Sequence, residues 1–188
     1  DQTVDVLIVG GGGAGLTASM LLTKLGVDHL LVSALPTTST LPKAHVLNQR
    51  TMEILDDAGV AAAIAERSTP AANMAASAFY AGLTGPTEDH GRRIAKIECW
   101  GAGLEDENWR AASAWNQLNL PQIRLEPLMK DHAEALAPGR IRFSHELTAL
   151  TQDDEGVTAT VCDLEAQTQY TVRARYLIGA DGGRTVPG

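Results

Sequence analysis

The chain has 188 residues, 44% of them hydrophobic and 20% charged, enough for one generous globular domain with an ordinary core. Its formal net charge of -8 sets aside nucleic acid and anionic membrane as main partners, since both need clustered Lys and Arg. No apolar run approaches the roughly 18 residues of a membrane span, and the opening Asp1-Gln2-Thr3-Val4 shows no basic-then-apolar leader, so the expected address is cytoplasmic.

Residues 4–9 form an almost unbroken apolar strand, the kind buried on both faces of a parallel sheet. Four glycines follow, Gly10 to Gly13. Ala14, Ala18, Leu21, Leu22 and Leu25 then recur at helical spacing until Gly26 signals a stop. Residues 29–33 read as a second strand and complete a strand-helix-strand unit. A Ser/Thr/Pro-rich loop over 34–42 leads to a helix over 48–58 that ends at Gly59, and 60–66 is helical too. Residues 67–91, rich in Ala, Gly and Pro, carry no pattern that assigns an element, whereas 94–100 is predicted as a strand.

Leu125, Leu128, Met129, His132 and Leu136 put one apolar stripe on a helix with Pro127 in its first turn, ended by Pro138-Gly139. From Ile141 the period becomes two, over 141–144, 147–152, 157–164 and 170–176, with a turn at 153–156. This predicts a three-stranded antiparallel meander feeding a final buried strand over 176–179. Cys99 and Cys162 fit neither a metal spacing nor a disulfide framework and are read as buried thiols. The five histidines are scattered and offer no structural metal site.

Gly10-x-Gly12-x-x-Gly15 stands directly after a strand and opens a helix, the context a dinucleotide-binding loop requires. The first glycine allows the tight turn, the second leaves room for a pyrophosphate, and the third lets helix and strand approach. On this reading the four consecutive glycines clear space for a phosphate. The helix that begins around Gly13 and Ala14 offers it unpaired N–H groups and a partial positive charge. Such folds usually carry Asp or Glu at the end of the second strand to hold the adenosine ribose. Ser33 occupies that place here and is a weaker partner, while Asp28, at the opposite end of the strand, should point away.

Three further blocks follow the glycine motif in order: Leu41-Pro-Lys-Ala-His-Val-Leu-Asn-Gln-Arg-Thr-Met-Glu-Ile-Leu55, Asn119-Leu-Pro-Gln-Ile-Arg-Leu-Glu-Pro-Leu128 and Tyr176-Leu-Ile-Gly-Ala-Asp-Gly-Gly-Arg-Thr185. Together the four resemble the class A, single-component flavoprotein aromatic hydroxylases, among them the phenol and chlorophenol monooxygenases. The resemblance implies a Rossmann-like α/β FAD-binding domain of three layers, with a parallel sheet plus antiparallel meander and the beginning of an inserted substrate-domain sheet. It divides the chain into a first part of the FAD-binding domain at 1–91, the start of a substrate-binding domain at 92–121, and the FAD-binding domain continued at 122–188.

Site residues carry over by position. Gly10, Gly12 and Gly15 match the FAD pyrophosphate loop, which Gly13 and Ala14 complete at the head of the helix. Lys43 stands where many members have Arg near the FAD phosphates, keeping the charge without bidentate geometry. Gln122 falls on a Gln that contacts the ribityl or ribose part, and Asp181 on a motif that serves both FAD and the nicotinamide cofactor. Thr185 replaces the usual Ser after that motif, and the distal Arg that completes it is absent from Val186-Pro187-Gly188. Arg50 is read as a partner of Glu53 or a helix cap, and Trp100, Trp109 and Trp115 as core or surface anchors rather than flavin stackers.

The activity implied is FAD- and NADPH-dependent hydroxylation of a phenol-class aromatic ortho to its hydroxyl, using molecular oxygen through a flavin C4a-hydroperoxide. His45, on the loop after Lys43, is the candidate base for the phenolic proton, a task that suits an imidazole titrating near neutral pH. Two other functions fit the same residues: an aromatic-polyketide oxygenase with the same first half, and a non-catalytic nucleotide-binding module. Family members run far beyond the final motif. The chain is therefore expected to be a fragment that by itself binds FAD poorly and does not hydroxylate, with homo-oligomerisation left open.

Overall fold

The computed structural model describes residues 1–99 and 106–183. Trp100, Thr185 and the 186–188 segment lie outside the described residues. In chain order the elements are β1 (Gln2–Val9), α1 (Gly13–Lys24), β2 (His29–Ser33), β3 (Val46–Leu47), α2 (Gln49–Asp57) and α3 (Ala61–Arg67). A 3-10 turn at Ala71–Met74 precedes β4 (Ala76–Tyr80), β5 (Arg93–Glu98), α4 (Glu107–Ala112) and β6 (Leu118–Asn119). Then come α5 (Gln122–Leu136), β7 (Ile141–Phe143), β8 (His145–Asp153), β9 (Gly156–Asp163) and β10 (Thr168–Gly179).

These elements fall into two units. The first comprises Asp1–Ala44, Asp57–Val60 and the described residues from Pro121 on. Its sheet has six strands in the order β7-β2-β1-β10-β9-β8. β7, β2, β1 and β10 run parallel, while β10, β9 and β8 form an antiparallel meander. The sheet curls so that β8 packs against β2. Leu7 and Val9 of β1, Leu30 and Val32 of β2, and Val172 and Ala174 of β10 thereby share one buried cluster with Leu147, Val157, Ala159 and Val161. α1 and α5 pack on each other. The result is the expected α/β fold, a mostly parallel sheet extended by a meander.

One detail sharpens the sequence reading and three correct it. On α1 the buried face is Gly15, Leu16, Ser19 and Met20, and Leu25 is 75% exposed. Gly15 has to face the β1 carboxyl end, and Ser19 tolerates burial because its hydroxyl bonds His29 Nε2 at 2.8 Å. Pro127 lies inside α5, beyond its first turn. The helix starts at Gln122 because Pro121 precedes it in an extended conformation and Gln122 N–H, with no partner inside the helix, donates to Ala44 O at 2.8 Å. The last strand of the meander and the final strand are one continuous strand, β10, with Tyr176 63% and Ile178 37% exposed rather than buried. Beyond Ala174 it pairs with β1 alone, since β9 pairing stops there. Cys99 and Cys162 are free, as expected, but half-buried rather than buried.

The second unit comprises His45–Asp56 and Ala61–Leu120. It holds two small antiparallel ribbons, β3-β6 and β4-β5, and buries Leu47, Met52, Leu55, Ile64 and Leu120. The strand expected at 94–100 is found as Arg93–Glu98, and its partner β4 lies in the stretch that carried no pattern. Phe79 and Tyr80 are exposed on β4, as are Ile94 and Ile97 on β5, so burial of one face imposes no clean alternation there.

The meander supplies an acid-sensitive clamp. Arg173 donates from Nη1 to Asp153 Oδ2 at 3.0 Å and from Nη2 to Asp153 Oδ1 at 2.6 Å, which holds the Asp153 carboxyl below its ordinary range. Hydrogen bonds from Ala166 and Glu165 N–H groups, with His145 and Arg142 nearby, do the same for Asp163. A carboxyl depressed on folding adds stability above its unfolded pKa, and that contribution is lost as pH falls through the folded pKa. Thermal melts should therefore drop below about pH 4. The gap between wild type and Asp153→Asn should close over the same window; a gap independent of pH would refute the clamp.

Candidate functional site

At the carboxyl ends of the parallel strands, Val9 lies opposite Gly179, and Ala180 N–H donates to Val9 O at 2.7 Å. The opening loop and the Ala180-Asp181-Gly182 turn therefore meet at one place in the first unit. A cleft of about 1130 Å³ opens there, at the sheet edge where open α/β folds take ligands. Gly10 to Ala14, Ser33, Lys43, Gln122 and Asp181 all line it.

The glycines divide by role. Gly10 has φ +119°, and a Cβ on it would collide with the Ala180 carbonyl and come within 2.6 Å of Asp181 N. A Cβ on Gly15 would collide with the Gly10 carbonyl oxygen. One on Gly11 would reach 2.6 Å from the Phe143 ring. Of the loop glycines only Gly12, with Glu126 Oε1 at 3.5 Å, and Gly13, with none of the described residues within 4 Å, face open space. The expectation that all four consecutive glycines clear space is corrected: two border open space, and the other two let neighbouring chain segments approach.

Glu126 of α5 went unnoticed in the sequence. It is 2% exposed, and three N–H donors converge on it: Gly13 N at 3.2 Å and Gln122 Nε2 at 2.6 Å on Oε1, and Ser39 N at 2.7 Å on Oε2. The carboxylate ties the head of α1 to the Ser/Thr loop. Placing Pro127 in the first turn hid the relevant signal, since with the helix starting at Gln122 the pair Gln122 and Glu126 is i,i+4 on one face. The residues His145 to Thr148 of β8 also line the cleft without a sequence signal. His145 Nδ1–H donates to Phe143 O at 2.9 Å, and its Nε2 lies 3.7 Å from Asp163 Oδ2.

Among the described residues, Lys43 is the only Lys or Arg lining the cleft, against the carboxylates of Glu126, Glu146 and Asp181. Asp28 is away from it, paired with Arg140 at 2.7 Å. Arg50 pairs with Glu53 at 2.9 Å, and the Ser113 hydroxyl, followed by Arg50, holds the Glu53 carboxyl below its ordinary value. His45 belongs to the second unit, where it is exposed and its Nδ1 lies 3.1 Å from Asn119 Oδ1. Trp109 and Trp115 are half-buried in the same unit.

The residues present fit a dinucleotide with a pyrophosphate. Gly12 and Gly13 leave one side of the loop bare, and Ala14 and Gly15 N–H groups at the head of α1 have no partner inside the helix, whose first bond is Leu16 N to Gly12 O. Fold and cleft together define a dinucleotide-binding α/β domain of the flavoprotein type. The chain belongs to the FAD binding domain family, whose pattern its residues 3–187 match. It is 39% identical to 2,4-dichlorophenol 6-monooxygenase of Delftia acidovorans over 96% of this chain and 30% of that one. It is 38% identical to aklavinone 12-hydroxylase DnrF of Streptomyces peucetius subsp. caesius over 97% of this chain and 36% of that one. Among solved structures, the flavin-dependent monooxygenase PieE in complex with FAD and substrate superposes with a TM-score of 0.88 at 44% identity, covering 98% of this chain and 31% of that one. The chain thus spans about a third of the length of the relatives it matches. No helix among the described residues is long and apolar enough to cross a membrane.

Proposed function

We propose that the chain is the FAD-binding part of a flavin-dependent monooxygenase that hydroxylates a phenol ortho to its hydroxyl, consuming NADPH and molecular oxygen. The observation that carries this reading is the meeting of Gly12 and Gly13, Lys43, Gln122 and the Asp181 turn in one cleft. The dichlorophenol relative supports the substrate class, since position 6 of its named substrate is ortho to the hydroxyl. In this reading residues 1–91 and 122–188 serve FAD, and 92–121 begin a substrate-binding domain.

Bound FAD would supply the redox chemistry, accepting reducing equivalents from NADPH and activating oxygen. The protein's part is binding and proton handling. Gly12, Gly13 and Ala14 take the pyrophosphate, with Lys43 as its counter-charge; Ser33 bonds the adenosine ribose; Gln122 bonds the polyol; and Asp181 closes the far side. His45 removes the phenolic proton. With Asn119 Oδ1 as acceptor, Nδ1 carries the ring proton, which leaves the Nε2 lone pair for that task.

The full-length gene product should hold FAD and oxidise NADPH faster in the presence of phenols. His45→Ala should keep its FAD and lose roughly a hundredfold in hydroxylation rate, with more peroxide released per NADPH. Its rate should recover as pH rises toward the ionisation of the phenol itself, near about pH 10. Unchanged coupling of NADPH use to product would remove His45 from the mechanism. The aklavinone hydroxylase relative favours a second reading, a polycyclic aromatic polyketide as substrate. A polyketide turned over in place of simple phenols would establish it.

A further inference from the structure

We infer that Glu126 is a positioning residue that sets the polarity of Gln122 and so selects a ligand carrying hydroxyl donors. This rests on the FAD reading above. An amide side chain offers either its oxygen or its NH2 to a ligand, and the two ends select opposite partners. An ionised carboxylate accepts only, so the short 2.6 Å contact from Gln122 to Glu126 Oε1 requires the NH2 end. Turning the amide over would set carbonyl oxygen against carboxylate oxygen.

Glu126 itself cannot turn away to accommodate such a flip. It is 2% exposed, and two backbone N–H groups from separate segments hold it, Gly13 at 3.2 Å and Ser39 at 2.7 Å. Gln122 is anchored as well, its own N–H donating to Ala44 O at 2.8 Å. What remains is Gln122 Oε1, with no donor on it among the described residues, on a side chain that lines the cleft. That end accepts a hydroxyl proton and repels a phosphate oxygen. Gln122 therefore reads the polyol of a dinucleotide and not its pyrophosphate, and Glu126 enforces the choice without touching the ligand.

The test is ligand binding by the full-length apo gene product, with FAD, with ADP, and with an FAD analogue whose ribityl chain is replaced by a plain alkyl chain. Glu126→Met should weaken FAD binding about tenfold, the worth of one hydrogen bond. ADP and the alkyl analogue sense Glu126 only through its brace on the head of α1, and each should be weakened at least about threefold less than FAD. In a Gln122→Met background the same substitution should cost FAD no more than it costs ADP, because the group it positions is gone and only its brace on the head of α1 is lost. If Glu126→Met fails to fold, Glu126→Gln decides. Its NH2 meets one of the backbone donors and lets the Gln122 amide turn, and a selective loss of FAD over ADP of at least about threefold is expected. Equal losses for FAD and ADP, or an undiminished loss in the Gln122→Met background, would overturn the inference. Wild-type protein that binds ADP but not FAD would instead overturn the flavin reading.

Discussion

Gly10→Ala should cost the protein roughly 3 kcal/mol or more, a large share of the about 5–15 kcal/mol that holds a typical domain together. Two effects add. The backbone at Gly10 has φ +119°, where an L side chain is strained, and the new methyl would overlap the Ala180 carbonyl and crowd Asp181 N. Relief would require β1 and β10 to separate at their carboxyl ends, breaking the 2.7 Å bond from Ala180 N to Val9 O. Gly15→Ala should act in the same direction, through the Gly10 carbonyl oxygen. Urea unfolding reads the effect directly, as a fall in midpoint at unchanged slope. A Gly10→Ala protein with the wild-type midpoint would show that the two strand ends do not meet as described.

Gly12→Val should do the opposite: keep the fold and abolish dinucleotide binding. Its backbone, φ -86° and ψ -172°, is an extended conformation open to any residue. The nearest atom to a Cβ there is Glu126 Oε1 at 3.5 Å, an ordinary contact. The branched side chain would stand in the space assigned to the pyrophosphate and hold phosphate oxygens away from the N–H groups of Ala14 and Gly15. A loss of at least about a hundredfold in FAD affinity is expected, since at least two charge-assisted hydrogen bonds go at once. The urea midpoint should stay close to wild type. Retained FAD with a lowered midpoint would mean that Gly12, like Gly10, serves packing.

The two substitutions separate roles that one run of letters presents as equal. Gly10, Gly12 and Gly15 were legible as a loop between strand and helix, but what each glycine admits depends on who its neighbour is. For Gly10 that neighbour is Ala180, and for Gly11 it is Phe143, both far away in sequence. The same holds for α1. The period of Ala14, Ala18, Leu21, Leu22 and Leu25 identified a helix correctly, but its buried face is Gly15, Leu16, Ser19 and Met20, because close approach at Gly15 fixes the rotation more strongly than side-chain hydropathy does.

The sequence by itself determined the order of the elements of the first unit and the strand-turn-helix that admits a dinucleotide, with Gly12 and Gly13 in its loop, while Lys43, Gln122 and Asp181 came from the resemblance of their motifs to the family. The elements and the loop are properties of short segments, where backbone freedom, periodicity and capping act over a few residues. The tertiary structure alone decided that Glu126 faces the head of α1 and a loop 87 residues away in sequence, and that β8 contributes a wall. It also decided that β10 serves as both the last meander strand and the partner of β1. Those outcomes rest on pairings between distant segments, and a buried charge finds its donors only after the chain has closed around it.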